Sequence, residues 1–270
     1  MLSDGGKAVK RTPIESLPIG VPQSAASLAQ DARIYDSSCS PEARVYFIER
    51  EGGYYLKRAA RGTLEREAIM TEYFHKKGLG AHVVDYATIG EFDWLLTERV
   101  PGEDCTHKLY MGDPKRLCDL LARELRILHE TDASDCPVQD RMSEYIALAE
   151  RNYATGNYDT EHFPDSFGYR SAEEAYAALQ AGKSELKNEV LLHGDYCFPN
   201  VMLEDFKLSG FIDLGNAGVG DRHVDLFWGA WTLEFNLGTN AYRDRFFDAY
   251  GRDKIDENKL KTVAAAEVFG

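Results

Sequence analysis

The sequence predicts an α+β protein with a β-rich N-terminal lobe and a mainly helical C-terminal lobe. Segments rich in Val, Ile, Tyr and Phe concentrate in the first hundred residues, and helical periodicity dominates after Val100-Pro101-Gly102. A chain of 270 residues is long enough for two modest lobes. We therefore assign residues 1–98 to the N-terminal lobe, 99–103 to a hinge and 104–270 to the C-terminal lobe.

The composition is that of a folded globular protein. Hydrophobic residues make up 44% of the chain and charged residues 28%, and no apolar run approaches the roughly 18 residues that a membrane helix needs. The first ten residues lack the apolar stretch of a signal peptide. Five scattered cysteines without a Cys-x-x-Cys pair disfavour a disulfide framework and a zinc site. We expect a cytoplasmic protein with reduced thiols that does not bind a membrane.

The charge balance is strongly acidic. Forty-five Asp and Glu residues against 31 Lys and Arg give a formal net charge of -14. Such a field repels phosphate backbones and attracts cations. The charge therefore argues against a nucleic-acid partner and favours a cationic small molecule as the ligand.

The N-terminal lobe is predicted to contain strands and one helix. Thr63 is the predicted N-cap of that helix, which continues to about Lys77. Glu51-Gly52-Gly53 supplies the turn of a hairpin between the first two strands. Patterns of β-branched and aromatic residues predict strands over residues 44–49, 54–57, 83–89 and 94–97.

Helical signals dominate the C-terminal lobe. Asp113 and Pro114 suit the N-cap and the first position of a helix, and Ser171 with Glu174 has the pattern of a capping box. A helix from about Asp221 is apolar nearly all round, which predicts burial on most sides. Two short strands are predicted between the helices, over residues 189–193 and 208–213.

The segment that carries most chemical information runs from His193 to Asn200. Four residues separate Asp195 from Asn200, and Asp213 opens an Asp-x-Gly sequence. This is the spacing of a kinase catalytic loop and its metal-binding element, with Gly194 in place of the usual Arg. Phosphoryl transfer needs an acceptor for the hydroxyl proton and oxygen ligands for Mg²⁺. Asp195 suits the first role, and Asn200 and Asp213 suit the second.

A kinase also needs a strand lysine that is paired with a helix acid. Lys57 ends the strand predicted over residues 54–57, and Glu67 lies one turn inside the next helix, so this pair is the candidate phosphate clamp. No Gly-x-Gly-x-x-Gly loop precedes Lys57. The corresponding hairpin carries residues 37–43, including Ser40. Its backbone N–H groups and hydroxyls are candidate hydrogen-bond donors to phosphate.

With these residues, the sequence resembles the aminoglycoside 3'-phosphotransferases, which use ATP to inactivate kanamycin- and neomycin-type antibiotics. The resemblance runs from about Ser40 to Phe269. Its His-Gly-Asp and Asp-x-Gly motifs are shared with choline, homoserine and fructosamine kinases. Residues 209–215 and 218–222 are typical of the antibiotic kinases in particular.

The resemblance implies a protein-kinase-like fold that uses ATP and Mg²⁺. By the same match Asp195 is the catalytic residue, Asn200 and Asp213 bind Mg²⁺, and Lys57 with Glu67 orients the α- and β-phosphates.

Further site residues follow from the same resemblance. Tyr55 would cover one face of the adenine, and the backbone around Arg99 and Val100 would act as the hinge. His193 is a supporting residue of the catalytic loop, and Asp225 would buttress that loop.

The resemblance also implies acidic residues that bind the ammonium groups of an aminoglycoside. Asp159 and Glu161 match an Asp-x-Glu pattern of the family, and Glu267 matches its C-terminal acid.

The chain departs from the family pattern at several positions, and these keep alternatives open. Asn216 stands where Arg usually follows the Asp-x-Gly glycine, and Trp231 and Phe235 stand where some members carry charged residues that face the substrate. Gly270 follows the Phe269 with which relatives often end. One alternative is a kinase of the same fold that acts on another small alcohol, such as choline, an amino alcohol or another antibiotic.

A second alternative is a non-catalytic protein that only binds a nucleotide or another ligand. A binding protein has no need for a proton acceptor, so the presence of Asp195 beside the predicted metal ligands and the phosphate clamp disfavours this alternative.

Overall fold

The computed structural model describes residues 11–158 and 168–270. The chain forms two compact units. The first unit runs to Gly112 and includes Pro199–Asn216, and the second combines Asp113–Phe198 with Ala217–Gly270. Residues 104–112 and 199–216, which we assigned to the C-terminal lobe, therefore pack with the first unit. The functional division at residues 99–103 stays a prediction.

A six-stranded antiparallel sheet forms most of the first unit. Its strands are β1 (Thr12–Ile14), β2 (Arg33–Asp36), β3 (Ala43–Glu49), β4 (Tyr54–Ala60), β5 (Val83–Ile89) and β6 (Phe92–Glu98). Their order in the sheet is β1-β2-β3-β4-β6-β5. All four strands predicted for this part of the chain, and the hairpin turn between the first two, are confirmed. The register pairs Phe47 with Tyr55 and Val45 with Lys57, so Tyr55 and Lys57 lie on the same face of β4.

The remaining elements of the first unit are three helices and a small sheet. The helices are α1 (Gln23–Ala29), α2 (Glu65–Lys76) and α3 (Lys108–Met111). The sheet consists of β7 (Glu103–Asp104), β9 (Val201–Glu204) and β10 (Lys207–Phe211), in the order β10-β9-β7. Gly102, just before β7, has a φ of +88°, and a Cβ there would lie 2.1 Å from the carbonyl oxygen of Leu203. Only glycine allows this close approach.

The predicted N-cap of α2 is wrong. Leu64 occupies the cap position, and the hydroxyl of Thr63 donates to the carbonyl of Ala60 at 2.6 Å. The first turn is capped from β6 instead, because the buried carboxylate of Asp93 accepts from the backbone N–H groups of Gly62 at 2.8 Å and Leu64 at 3.1 Å. A residue distant in sequence thus accepts the hydrogen bonds that a local N-cap side chain would accept.

The second unit is mainly helical. Its described helices are α4 (Pro114–Glu130), α5 (Arg141–Thr155), α6 (Ala172–Gly182), α7 (His223–Leu237), α8 (Arg243–Tyr250) and α9 (Glu257–Glu267). Two short strands, β8 (Val190–Leu192) and β11 (Gly218–Gly220), pair antiparallel. Helix α4 packs on α8, and α9 packs on both α6 and α7.

Both predicted caps in the second unit are confirmed. The side chain of Asp113 accepts from the N–H of Arg116, and Ser171 accepts from the N–H of Glu174. The Glu174 carboxylate reaches back to the N–H of Arg170, one residue before the cap, rather than to the cap residue itself.

The C-terminal segment is part of the core of the second unit. Phe269 is fully buried, and its carbonyl accepts from the side-chain amide of Asn152 at 2.7 Å. These contacts hold the end of α9 in place. Within the described residues, no helix has both the length and the apolar character required to cross a bilayer.

Candidate active site

The first unit brings three of the predicted site residues together around one ammonium group. Lys57 on β4 donates to both carboxylate oxygens of Glu67 on α2, at 2.9 and 2.7 Å, and to Asp213 at 2.6 Å. Asp213 is 156 residues from Lys57 in the sequence, so only the fold could place them side by side. The pairing predicted between Lys57 and Glu67 is therefore present in the structure.

The charge of Lys57 is stabilised by its neighbours. Burial alone would lower the pKa of this ammonium, but the carboxylates of Asp213 and Glu67 outweigh burial and hold the pKa well above its ordinary value. Lys57 is consequently a permanent cation at neutral pH, which is the state that can bind a phosphate oxygen.

Asp213 and Asn200 lie at the two ends of the β9–β10 hairpin. Val201 begins β9 directly after Asn200, and the carbonyl of Asn200 accepts from the N–H of Ile212 at 3.1 Å. Asp213 has a φ of +61°, a left-handed conformation that is unfavourable for residues other than glycine. Backbone conformations of this kind concentrate at functional sites, and the half-exposed carboxylate of Asp213 pairs with Lys57.

The loop between β2 and β3 carries the groups that are predicted to donate hydrogen bonds to phosphate. Ser40 is exposed in this loop, and the Ser38 hydroxyl accepts from the N–H of Val45 at 2.9 Å. Burial raises the pKa of the Cys39 thiol, an effect that the carboxylate of Asp213 increases. This electrostatic interaction shows that the loop lies near the Lys57 site.

The residues predicted to hold an adenine lie on and beside the same sheet. The ring of Tyr55 contacts Phe47 with centroids 5.1 Å apart, and its hydroxyl accepts from Arg11 at 2.6 Å. The N–H of Arg99 donates to the carbonyl of Gly53 at 2.9 Å, and Val100 is buried.

In the second unit, Asp225 on α7 holds the start of the predicted catalytic loop. Its fully buried carboxylate accepts from the N–H groups of His193 and Gly194, each at 2.8 Å. The ring of His193 in turn accepts from the N–H of Asp195 at 3.2 Å. The predicted contact between Asp225 and the loop is thus present. It holds the backbone of the two residues that precede Asp195.

Two side chains that sequence analysis did not select complete the support of Asp225. His129 on α4 contacts Asp225 through Nε2 at 3.1 Å, and its Nδ1 lies 2.8 Å from the hydroxyl of Tyr250 on α8. Arg222 donates to the same hydroxyl at 3.3 Å. Their signal in the sequence was weak, because a histidine and a tyrosine on amphipathic helices are common core residues.

Glu267 lies at the end of α9 in a pocket of aromatic donors. Its carboxylate accepts from the hydroxyl of Tyr145 at 2.7 Å and from the indole N–H of Trp228 at 3.0 Å. Burial raises the pKa of Glu267 to about 7, and the charge of Asp195 acts in the same direction. The predicted substrate acid therefore lies within electrostatic range of the predicted catalytic Asp195. Asp159 and Glu161 lie outside the described residues.

Comparisons with known proteins identify the family of the chain. The profile of the phosphotransferase enzyme family matches residues 40–261, which is most of the chain. The chain belongs to the phosphotransferase enzyme family. It is also 52% identical to a probable aminoglycoside 3'-phosphotransferase of Lactococcus lactis, over 92% of this chain and 95% of that protein. An aminoglycoside 3'-phosphotransferase of Niallia circulans is 34% identical over 67% of this phosphotransferase and 68% of its own length. The resemblance and the enzyme class predicted from the motifs are confirmed.

A solved structure supports the fold assignment of the phosphotransferase. The crystal structure of an aminoglycoside 3'-phosphotransferase of type VIII is similar with a TM-score of 0.69 and 28% identity, over 84% of this chain and 88% of that one. The predicted protein-kinase-like α+β fold is confirmed.

Proposed function

We propose that this phosphotransferase transfers the γ-phosphoryl group of ATP, with Mg²⁺, to the 3'-hydroxyl of aminoglycosides such as kanamycin and neomycin, and so confers resistance to them. The observation that carries the chemistry is the ammonium of Lys57 held between Glu67 and Asp213. A fixed cation beside a partly exposed carboxylate is what phosphate binding next to a metal ion requires. The names of the relatives that span nearly the whole chain supply the acceptor class.

The two predicted metal ligands fit Mg²⁺ in their chemistry. Asp213 offers a carboxylate and Asn200 an amide oxygen, which are hard donors. Phosphate oxygens and water would supply the remaining ligands of Mg²⁺, which when bound would neutralise charge on the phosphates. The strained backbone of Asp213 and the hydrogen bond between Ile212 and Asn200 would keep both donors at one end of the hairpin.

Asp195 is the proposed proton acceptor. As the acceptor oxygen forms its bond to the γ-phosphorus and the bond to ADP breaks, the hydroxyl proton passes to the Asp195 carboxylate. We assign His193 and Asp225 as positioning residues. Asp225 accepts from the backbone N–H groups of His193 and Gly194, and the ring of His193 accepts from the N–H of Asp195.

The remaining predicted residues are proposed for nucleotide and substrate binding. Tyr55 and the backbone of Arg99 and Val100 would bind the adenine, and the Ser40 loop would contact the phosphates. Glu267 would bind an ammonium group of the aminoglycoside together with Asp159 and Glu161. The net charge of -14 supports a polycationic acceptor.

A coupled ADP-release assay tests the proposal. The acceptors are kanamycin, neomycin, a kanamycin analogue that lacks the 3'-hydroxyl, and choline, each with MgATP at a fixed concentration. We expect turnover with the first two acceptors and none with the last two. A choline turnover above that of every aminoglycoside would instead favour a kinase for another small alcohol. ATP binding without turnover of any acceptor would favour a non-catalytic protein.

A further inference from the structure

Helix α7 carries a row of aromatic side chains that does not belong to the closed core. Trp231 and Phe235, one helical turn apart, stack with centroids 4.7 Å apart and planes at 16°. Trp228 meets Trp231 edge-on at 5.4 Å. Phe235 is 40% exposed and Trp231 is partly exposed, so the row becomes more accessible towards the end of the helix.

The buried end of this row is joined to the candidate substrate acid. The indole N–H of Trp228 donates to the Glu267 carboxylate at 3.0 Å, so a direct hydrogen bond joins the row to the acid. An apolar face that ends at a carboxylate suits a ligand with both an apolar face and a cationic group.

The same stretch of α7 contacts the predicted catalytic loop. Thr232, next to Trp231, accepts from the backbone N–H of Phe198 at 3.0 Å. Burial raises the pKa of the Cys197 thiol, and the charges of Asp195 and Glu267 act in the same direction, which places both acids near Cys197. A hydrogen bond therefore joins the segment of α7 that carries the aromatic row to the loop that carries Asp195.

We propose that Trp231 and Phe235 form an aromatic shelf that binds an amino-sugar ring of the acceptor and determines which acceptors are used. The proposal rests on the proposed function and deepens it. The apolar face of the sugar ring packs on the exposed part of the shelf, an ammonium group interacts with the aromatic faces, and a second ammonium pairs with Glu267. Trp228 is a positioning residue that fixes the Glu267 carboxylate at the end of the shelf.

The shelf offers a different kind of binding from a carboxylate. Attraction between a cation and an aromatic face loses less strength to salt than an exposed ion pair, and flat rings select the shape of the sugar as well as its charge. An acceptor without a ring, such as choline, would engage only the cation-binding part. The shelf therefore favours ring-containing amines over simple quaternary amines.

Calorimetric titration of kanamycin tests the shelf without requiring turnover. Wild type is compared with Trp231→Ala, Trp231→Phe and Phe235→Ala, and each variant is checked for an unchanged melting temperature. Phe92→Ala is the matched control, because Phe92 is also 40% exposed but lies on β6 of the first unit. We expect Trp231→Ala to weaken kanamycin binding about three- to tenfold, Phe235→Ala to weaken it less, and Trp231→Phe and Phe92→Ala to stay within twofold of wild type.

Steady-state kinetics separate this proposal from the proposed function. We expect Trp231→Ala to raise the KM for kanamycin while kcat and the KM for ATP stay within about twofold. Kanamycin binding and KM that are unchanged in a folded Trp231→Ala variant would overturn the shelf and leave the proposed function intact. If wild type bound kanamycin through Trp231 without phosphorylating it, the shelf would stand and the proposed function would fail. No binding of kanamycin to wild type would overturn both.

Discussion

Lys57 is the residue on which the proposed phosphate binding depends most. Its ammonium donates to both Glu67 and Asp213, at 2.9 Å or less. Removing its charge would leave two carboxylates facing each other beside the phosphates.

We expect Lys57→Met to lower kcat/KM for ATP by at least about a hundredfold, because a preorganised cation at the phosphates is lost. The matched control is Lys76→Met, since Lys76 is an exposed lysine on α2 that pairs with Glu72. Coupled ADP-release kinetics on both variants, with melting curves, check the expectation. Equal activity of the two variants would refute the phosphate-clamp role of Lys57.

Glu267 links stability to pH with a definite sign. Its pKa in the folded protein is raised from 4.5 to about 7, so folding favours the neutral acid and the carboxylate destabilises the fold as pH rises from about 4 to 7. We expect Glu267→Gln to raise the free energy of unfolding at pH 8 by up to about 3 kcal/mol and to leave it nearly unchanged at pH 4. Chemical denaturation of both proteins at the two pH values measures this difference. A stabilisation that is equal at both pH values would contradict the raised pKa.

The same substitution should also change how the KM for kanamycin depends on pH. Below pH 7 the neutral Glu267 no longer attracts an ammonium group, so the KM of wild type for kanamycin should rise as pH falls from 8 to 6. Glu267→Gln should have the higher KM at pH 8, and the ratio of the two KM values should approach one at pH 6. The titration of the antibiotic itself affects both proteins and cancels in the ratio.

At the residue scale, sequence reasoning found the candidate charged residues of the site and Asp225 as the support of the loop, but not the side chains that hold Asp225 and Glu267 in place. The order and spacing of kinase motifs along the sequence made it possible to predict Lys57, Glu67 and Asp213. The partners of Glu267, by contrast, are reached only through tertiary packing, as Tyr145 and Trp228 lie 122 and 39 residues away. The N-cap at Thr63 failed for the same reason, since the distant Asp93 took its role.

At the scale of elements, α4, α7 and α8 together hold the predicted catalytic loop. A series of hydrogen bonds runs from Arg222 through Tyr250 and His129 to Asp225. Asp225 then bonds to the backbone of the loop. Burial raises the pKa of Tyr250 to about 12, so its hydroxyl stays protonated and can donate to His129. These buried hydrogen bonds support the backbone of the loop from behind the Asp225 carboxylate.

We expect Asp225→Asn to destabilise the protein by about 3 kcal/mol and to lower kcat more than it raises either KM. The asparagine keeps the volume but cannot accept from the two backbone N–H groups and His129 at once. Tyr250→Phe breaks the two hydrogen bonds of the Tyr250 hydroxyl, to His129 and to Arg222, but leaves every contact of Asp225 in place. It should cost about 1–2 kcal/mol with little change in kcat. Thermal unfolding and kinetics of both variants distinguish the two positions. Comparable effects of the two variants on stability and kcat would contradict the larger role assigned to Asp225.

The elements that sequence analysis predicted are those with strong local signals. Strands β3 to β6 are rich in β-branched and aromatic residues, and α4 begins at an Asp-Pro pair. Helix α1 was missed because it has seven residues and no side-chain cap. Strand β7 was missed because two residues carry no periodic pattern.

At the scale of the whole molecule, the division into compact units could not be predicted from patterning. Pro199–Asn216 packs with the first unit although most of the neighbouring sequence packs with the second. The isolated bridge between Gly80 and Phe211 shows one of the long-range contacts responsible. Such contacts leave no local signature, so the sequence suggested a single boundary where the chain has several.

The net charge of -14 acts over the whole molecule. We expect the KM for kanamycin to rise several-fold between 0.05 and 0.5 M KCl, as salt shortens the range over which the acidic protein attracts a polycation. Glu267→Gln should show a shallower dependence because it has one carboxylate fewer. A KM for kanamycin that is independent of salt would argue against electrostatic recognition of the acceptor.

The most direct test of the central claim is the position of the transferred phosphate. Kanamycin is incubated with MgATP and the wild-type protein, and the product is examined by two-dimensional phosphorus–proton NMR, with Asp195→Asn as the control. The account predicts a single phosphate ester whose phosphorus couples to the 3' proton, and at least about a hundredfold less product from the variant. A phosphate on another hydroxyl, or equal product from Asp195→Asn, would contradict it.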